Sequence, residues 1–284
     1  MKRSKINLSV LRPLILGVVG GVVATTCAFL LHPRLLAKVV LSRKVRQMQT
    51  SPKRITQEEW LRRDFRKMPC RWCYMKIDAN GWSVTPINNL LQLKERINTG
   101  ERELVIPVFP TVYEPNPADT LYYNTVLHSD IKPGDKVLVV GAGSGSDAWV
   151  AWLKSKSPIY VIEINPMAVA NIETTARLGN FPVKTLVGDI RNVALPEDFN
   201  NFDFVLWDMP YLLEDPTIEE WDFHDGDDGS ILKGFLSRLP SLLKKDGRVI
   251  IMNTEAARPY INFPNLTIEG TGGILVYIFS NKPG

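Results

Sequence analysis

The chain has 284 residues, 45% of them apolar and 23% charged, which excludes a disordered or low-complexity polymer and suffices for one substantial core with an appendage. Its net charge of +4 hides a split: residues 1–67 carry 15 Lys and Arg against 3 Asp and Glu, a net +12, while residues 68–284 carry 19 against 27, a net −8. The basic part is thus an amino-terminal arm, and the acidic remainder argues against a nucleic-acid surface there.

Pro13 to Leu31 is a run of nineteen residues without a charge. As a helix it spans about 28 Å, the hydrocarbon thickness of a bilayer. The run predicts a membrane anchor (residues 1–33) rather than a cleaved leader, because His32-Pro-Arg-Leu-Leu36 follows it where a small-x-small site would stand. Gly17 and Gly21 have the spacing that packs two such helices. Lys2, Arg3, Lys5 and Arg12 precede the run and Arg34, Lys38, Arg43, Lys44 and Arg46 follow it, so flanking charge sets no orientation.

Residues 34–104 are expected to form a basic juxtamembrane and helical linker. No acid occurs before Glu58, and Leu35, Leu36, Val39, Val40 and Val45 recur among basic residues, which suits an anionic membrane surface. The same composition resembles a mitochondrial presequence. Thr56-Gln-Glu-Glu59 has the form of a capping box and predicts a helix start, with Leu61, Phe65 and Met68 on one face. Cys70 and Cys73 lack two further ligands, since Cys27 lies in the apolar run and His32, His128 and His224 are scattered. No metal site is expected, and packing is favoured for the pair over a disulfide or redox role.

The next landmarks are Val105-Ile-Pro-Val-Phe-Pro-Thr111 and Asp119-Thr-Leu-Tyr-Tyr123, where Tyr113 and Tyr123 are expected as core or rim aromatics. Lys136-Val-Leu-Val-Val140 then makes a strand buried on both faces, and Gly141, Gly143 and Gly145 bend the chain sharply into a helix whose first amides face a ligand. A dinucleotide fingerprint would put its third glycine at position 146, which is Ser. A second strand ends at Glu163, a third element ends in Gly188-Asp189-Ile190, and a fourth runs from Phe202 into Asp208-Met-Pro-Tyr211.

In this order the four elements resemble the class I S-adenosyl-L-methionine (SAM)-dependent methyltransferases, and the group with release-factor glutamine and ribosomal-RNA guanine methyltransferases in particular. The resemblance covers roughly residues 105–280. It implies an α/β fold, a seven-stranded Rossmann-like methyltransferase sheet with helices on both faces, preceded by the transmembrane helix. It further implies SAM as cofactor, contacted by Gly141, Ala142, Gly143, Gly145, Glu163, Ile164, Asp189, Ile190 and Asp208, with Glu163 on the ribose hydroxyls. Asp208, Pro210 and Tyr211 would serve the acceptor: Asp208 and the Met209 carbonyl hold a nitrogen and Tyr211 gives a stacking platform. Two departures stand out. Met209 replaces the first proline of the family's pair, and Val139 stands where its first strand commonly carries an acid that contacts the methionine end of the cofactor.

Glu214 to Asp228 holds eight acids and no Lys or Arg, and is expected as a solvated lid. Ile231 to Leu243 has helical periodicity, and Lys244–Ile251, Leu266–Gly270 and Gly273–Ser280 have strand character, the last an antiparallel insertion. The expected domain of residues 105–284 is a methyltransferase acting on a nitrogen of a protein side chain or small molecule. A nucleic-acid base N-methyltransferase and a non-catalytic SAM-fold binding or assembly protein are the alternatives. Because SAM is kept in the cytosol or an organelle matrix, the single-pass anchor should leave the catalytic domain on that side.

Overall fold

A computed structural model describes residues 71–79, 81–96, 102–211, 225, 229–263, 265–271 and 273–280. The apolar run at 13–31, the basic segment and the helix start at Thr56 lie outside the described residues. Among the described residues no helix is long and apolar enough to cross a membrane.

The first described elements differ from the expected linker. Strands β1 (Arg71–Asp78), β2 (Gly81–Pro86) and β3 (Glu103–Val108) form an antiparallel sheet in the order β2-β1-β3, with helix α1 (Leu90–Arg96) between β2 and β3. The expected boundary at 105 falls inside β3. Sequence reasoning passed over this sheet because β1 carries its core residues almost without interruption: Trp72, Cys73, Tyr74 and Met75 are all buried, so no alternation marks a strand. Cys73 is a free thiol there, donating to Glu114 Oε1 at 3.0 Å, and burial pushes its pKa up, as suits a packing residue.

The principal sheet has seven strands in the order β6-β5-β4-β7-β8-β10-β9. Its strands are β4 (Val137–Val140), β5 (Ile159–Glu163), β6 (Val183–Val187), β7 (Phe202–Asp208), β8 (Leu243–Thr254), β9 (Thr267–Glu269) and β10 (Ile274–Ser280). The pairs from β6 through β8 are parallel, and β10 pairs antiparallel with both β8 and β9, as expected for the last strand. The helices are α2 (Thr120–His128), α3 (Ser146–Ser155), α4 (Pro166–Gly179) and α5 (Ser230–Leu242). All four residues of β4 are buried, the signature of a strand covered on both faces. One face packs with Trp149, Ile172 and Tyr123, the other with Trp207, Phe235 and Leu239. The chain runs outward through β4, β5 and β6 and returns to β7 beside β4, so the strand order reverses at the carboxyl ends of β4 and β7, where such sheets hold ligands.

One buried side chain ties the two sheets to this crevice. Asn171 of α4 accepts from the Phe109 N–H at 2.7 Å and donates to the carbonyls of Pro107 (2.7 Å) and Ser144 (2.9 Å). Replacing it with alanine would strand the Phe109 N–H and the Pro107 carbonyl, while the Ser144 carbonyl would keep its bond from Thr175. We expect Asn171→Ala to cost about 3 kcal/mol of unfolding free energy in urea titrations, against a negligible cost for the exposed neighbour Ala170→Ser.

Candidate active site

The turn after β4 is shaped by close approaches. Gly141 has φ 60° and accommodates Trp207 of β7, whose Nε1 would lie 2.7 Å from a Cβ at that position. Gly145 has φ 91° and caps α3; a Cβ there would meet Thr175 and the Ile172 backbone at 3.1–3.2 Å. The third glycine thus serves contact between α3 and α4, and it alone of the expected cofactor residues does not line the crevice. Thr175 donates to the Ser144 carbonyl at 2.6 Å, the same oxygen that Asn171 holds.

The crevice is a cavity of about 220 Å³ that brings together Gly141, Ala142, Gly143, Glu163, Ile164, Asp189, Ile190, Asp208, Pro210 and Tyr211. Glu163, at the end of β5, accepts from the N–H groups of Gly143 (3.2 Å) and Asn165 (2.9 Å), and its burial raises its pKa. A carboxylate has about four lone-pair sites, so the pair of backbone bonds leaves capacity for the two hydroxyls of a ribose. Ile164 is 63% exposed at the rim, an apolar surface beside the acid. Asp189 enters the wall already partnered: Arg191 holds it with Nε at 2.9–3.0 Å and Nη2 at 2.6 Å, which lowers its pKa.

At the other end, the Tyr211 hydroxyl donates to Asp208 Oδ1 at 2.9 Å, and Asn253 of β8 donates to the Pro210 carbonyl at 3.3 Å. Met209 is buried in the core on the Trp207 side, with its N–H on the Met252 carbonyl at 3.4 Å, so a ladder bond to β8 steadies the turn that lacks a first proline. Of the acidic segment, Asp225 is described, and it is not a solvated lid residue. It is buried and accepts from the first amides of α5, Ile231 at 2.9 Å and Leu232 at 3.2 Å, where the helix dipole favours a carboxylate. The other seven acids lie outside the described residues.

Two acids at the cleft escaped the sequence reading. Asp147 opens α3 and lines the cavity; Tyr123 of α2 donates to its Oδ1 at 2.8 Å. Asp119 lies behind it, accepting from the Tyr113 hydroxyl (3.1 Å) and the Asn116 N–H (2.8 Å). Tyr113, expected as core or rim, lines the cavity over Gly143. The signal that could have found Asp147 is an acid in the first turn after the glycines, where a charge either caps a helix or faces the ligand.

Burial pushes Asp119 and Asp147 up to about 7 each, and lifts Asp208 well above the carboxylate range with the charges of Asp119 and Asp147 adding to it. Unfolded, these groups ionise near pH 4, so the native state holds extra protons between about pH 4 and 7. The stability they contribute is complete below that window and is lost as pH rises through it. Asp119→Asn is therefore expected to raise the melting temperature at pH 8 by more than at pH 5; an equal change at both would show that the carboxyl is not strained.

Comparison with known proteins agrees with this geometry. No protein-family model matches the chain. A protein of Methanocaldococcus jannaschii, provisionally named a protein N5-glutamine methyltransferase, is 33% identical over 156 residues, which cover 52% of this chain and 75% of that protein. Among solved structures, the 16S rRNA methyltransferase RsmC of T. thermophilus, solved with AdoMet and guanosine, aligns with a TM-score of 0.51 at 15% identity. The alignment covers 63% of this chain and about half (48%) of that one, and it speaks to the fold. The chain belongs to the class I SAM-dependent methyltransferases. Its cofactor is SAM, and the cleft fits it: an acid with ribose capacity, a turn that lacks a Cβ at Gly141 and Gly143, and an apolar rim share one cavity.

Proposed function

We propose that the chain transfers a methyl group to a nitrogen of a protein side chain or small molecule, with a side-chain carboxamide as the leading acceptor. The observation that carries this is Asp208 and Tyr211, bonded to each other at the end of β7 and lining the same cavity as the glycine turn. The provisional name of the archaeal relative supports a glutamine acceptor. SAM, when bound, supplies an electrophilic methyl on a sulfonium. The residues' task is to position the nucleophile and exclude water. Burial favours the protonated form of Asp208, which then offers one donor and one acceptor, matching the carbonyl and NH2 of a carboxamide. Tyr211 fixes the rotamer of that carboxyl and presents its ring beside it. The acceptor nitrogen forms the new N–C bond as the S–C bond breaks, and it gives up one proton to solvent.

The test is methyl labelling of soluble and membrane fractions from a deletion strain by the purified full-length chain. Labelled protein that releases methylamine on acid hydrolysis is expected, and Tyr211→Ala should lower that turnover about a hundredfold while keeping S-adenosylhomocysteine affinity. Label appearing in nucleic acid would promote base N-methylation, and a chain that binds cofactor without turnover would be a binding or assembly protein.

We further propose that Pro13–Leu31 anchors the protein in a membrane, with the catalytic domain on the cytosolic or matrix side where SAM is available. Tethering would favour acceptors at that membrane face. The full-length chain should remain in the pellet after carbonate extraction; release into the supernatant would refute the anchor.

A further inference from the structure

We infer that Asp147 takes the ammonium group at the amino-acid end of the cofactor, a position that the residue occupying the family's first-strand acid site, Val139, leaves without charge. SAM carries an adenosine, a sulfonium and an α-amino acid, so a complete site needs an anionic partner for the ammonium. Four carboxylates line the cavity. Glu163 stands at the ribose end, Asp189 is paired with Arg191, and Asp208 is bonded to Tyr211 on the acceptor side. Asp147 remains, opening α3 directly after the glycine turn, with bonds from the hydroxyls of Tyr123 at 2.8 Å and Ser146 at 3.2 Å and from its own N–H, and with no basic partner.

The surroundings of Asp147 call for a cation. It is 93% buried, yet no Lys, Arg or His is bonded to it, to Asp119 or to Asp208 among the described residues. Burying carboxylates together without a counter-charge is costly, and a bound ammonium removes the cost. An independent observation points the same way. Tyr122 of α2 is 1% exposed, its hydroxyl has no hydrogen-bond partner, and the charges of Asp147, Asp208 and Asp119 all act on it. The hydroxyl is thus a polar group short of a partner in the field of those three acids, behind the residues that line the cavity. The inference rests on the cofactor cleft described above, and the experiment separates the two.

Calorimetry on the full-length chain would compare S-adenosylhomocysteine with 5′-methylthioadenosine, which keeps the adenosine and the sulfur but lacks the amino-acid end. Asp147→Asn is expected to weaken S-adenosylhomocysteine on the order of ten- to a hundredfold while leaving methylthioadenosine unchanged. Equal loss for both ligands, or no loss for either, would overturn the assignment. Parent protein that binds neither ligand would remove the cleft reading and the inference with it. The parent gives a second measurement that needs no variant. Asp147 is faced by Tyr122 and Tyr123 of α2, Asp119 and Tyr113 before it, Glu163 of β5, and Asp208 and Tyr211 of β7. Because an ammonium partner requires the ionised carboxylate, the ratio of S-adenosylhomocysteine to methylthioadenosine affinity should rise from pH 6 to pH 8, and a flat ratio would overturn the proposal.

Discussion

The Ser144 carbonyl is held by two side chains of one helix, Asn171 Nδ2 at 2.9 Å and Thr175 Oγ1 at 2.6 Å, and the geometry of the cleft follows from that clamp. It fixes the turn between β4 and α3, so Gly141 can lie against Trp207 and Gly145 against α4. The same Asn171 grips Pro107 and Phe109, which sets where the chain leaves the small sheet and crosses toward Tyr113. Satisfied buried amides of this kind are rigid because every alternative arrangement strands a polar group.

Against that rigid frame stand carboxyl groups that the fold would be more stable without. Asp119 and Asp147 are buried and Asp208 is half-buried on the cavity wall; burial raises each pKa, with the charge of Asp147 adding to it at Asp119, that of Glu163 at Asp147, and those of Asp119 and Asp147 at Asp208. Hydroxyls of Tyr113, Tyr123 and Tyr211 orient them without neutralising them. Perturbed acids in a cleft are the mark of a site shaped for a ligand, and the cost of keeping them is met by the packing of the two cores on either side of β4. The acceptor end and the cofactor end therefore share one electrostatic environment, in which a change of charge at one carboxyl is felt at the others.

Much of the site was legible because its parts are local. Gly141, Gly143, Glu163, Asp189 and Asp208 each sit at a strand end or in the turn after it, and largely apolar stretches reveal β4, β5 and β7, while β6 before Asp189 is a mixed Val-Lys-Thr-Leu-Val. The antiparallel sheet of residues 71–108 was not, since β1 and β3 are buried almost throughout and β2 is mostly exposed, so none shows clean alternation. The packing role of Gly145 was hidden for a related reason. Its spacing suggests a ligand, but what approaches its Cα is a helix more than twenty residues further along the chain.

The sequence by itself determined the order of strands and helices in the principal sheet, the glycine turn, the acid on β5 and the acid at the end of β7, because backbone propensity and hydrophobic period act over a few residues. Only the tertiary structure decided that Asp119 and Asp147, twenty-eight residues apart, meet behind Asp208, that Asn171 and Thr175 pin the turn, and that Asp225 caps α5. Those facts depend on which side chains share a buried, low-dielectric space, a property set by the packing of distant elements that no local pattern encodes.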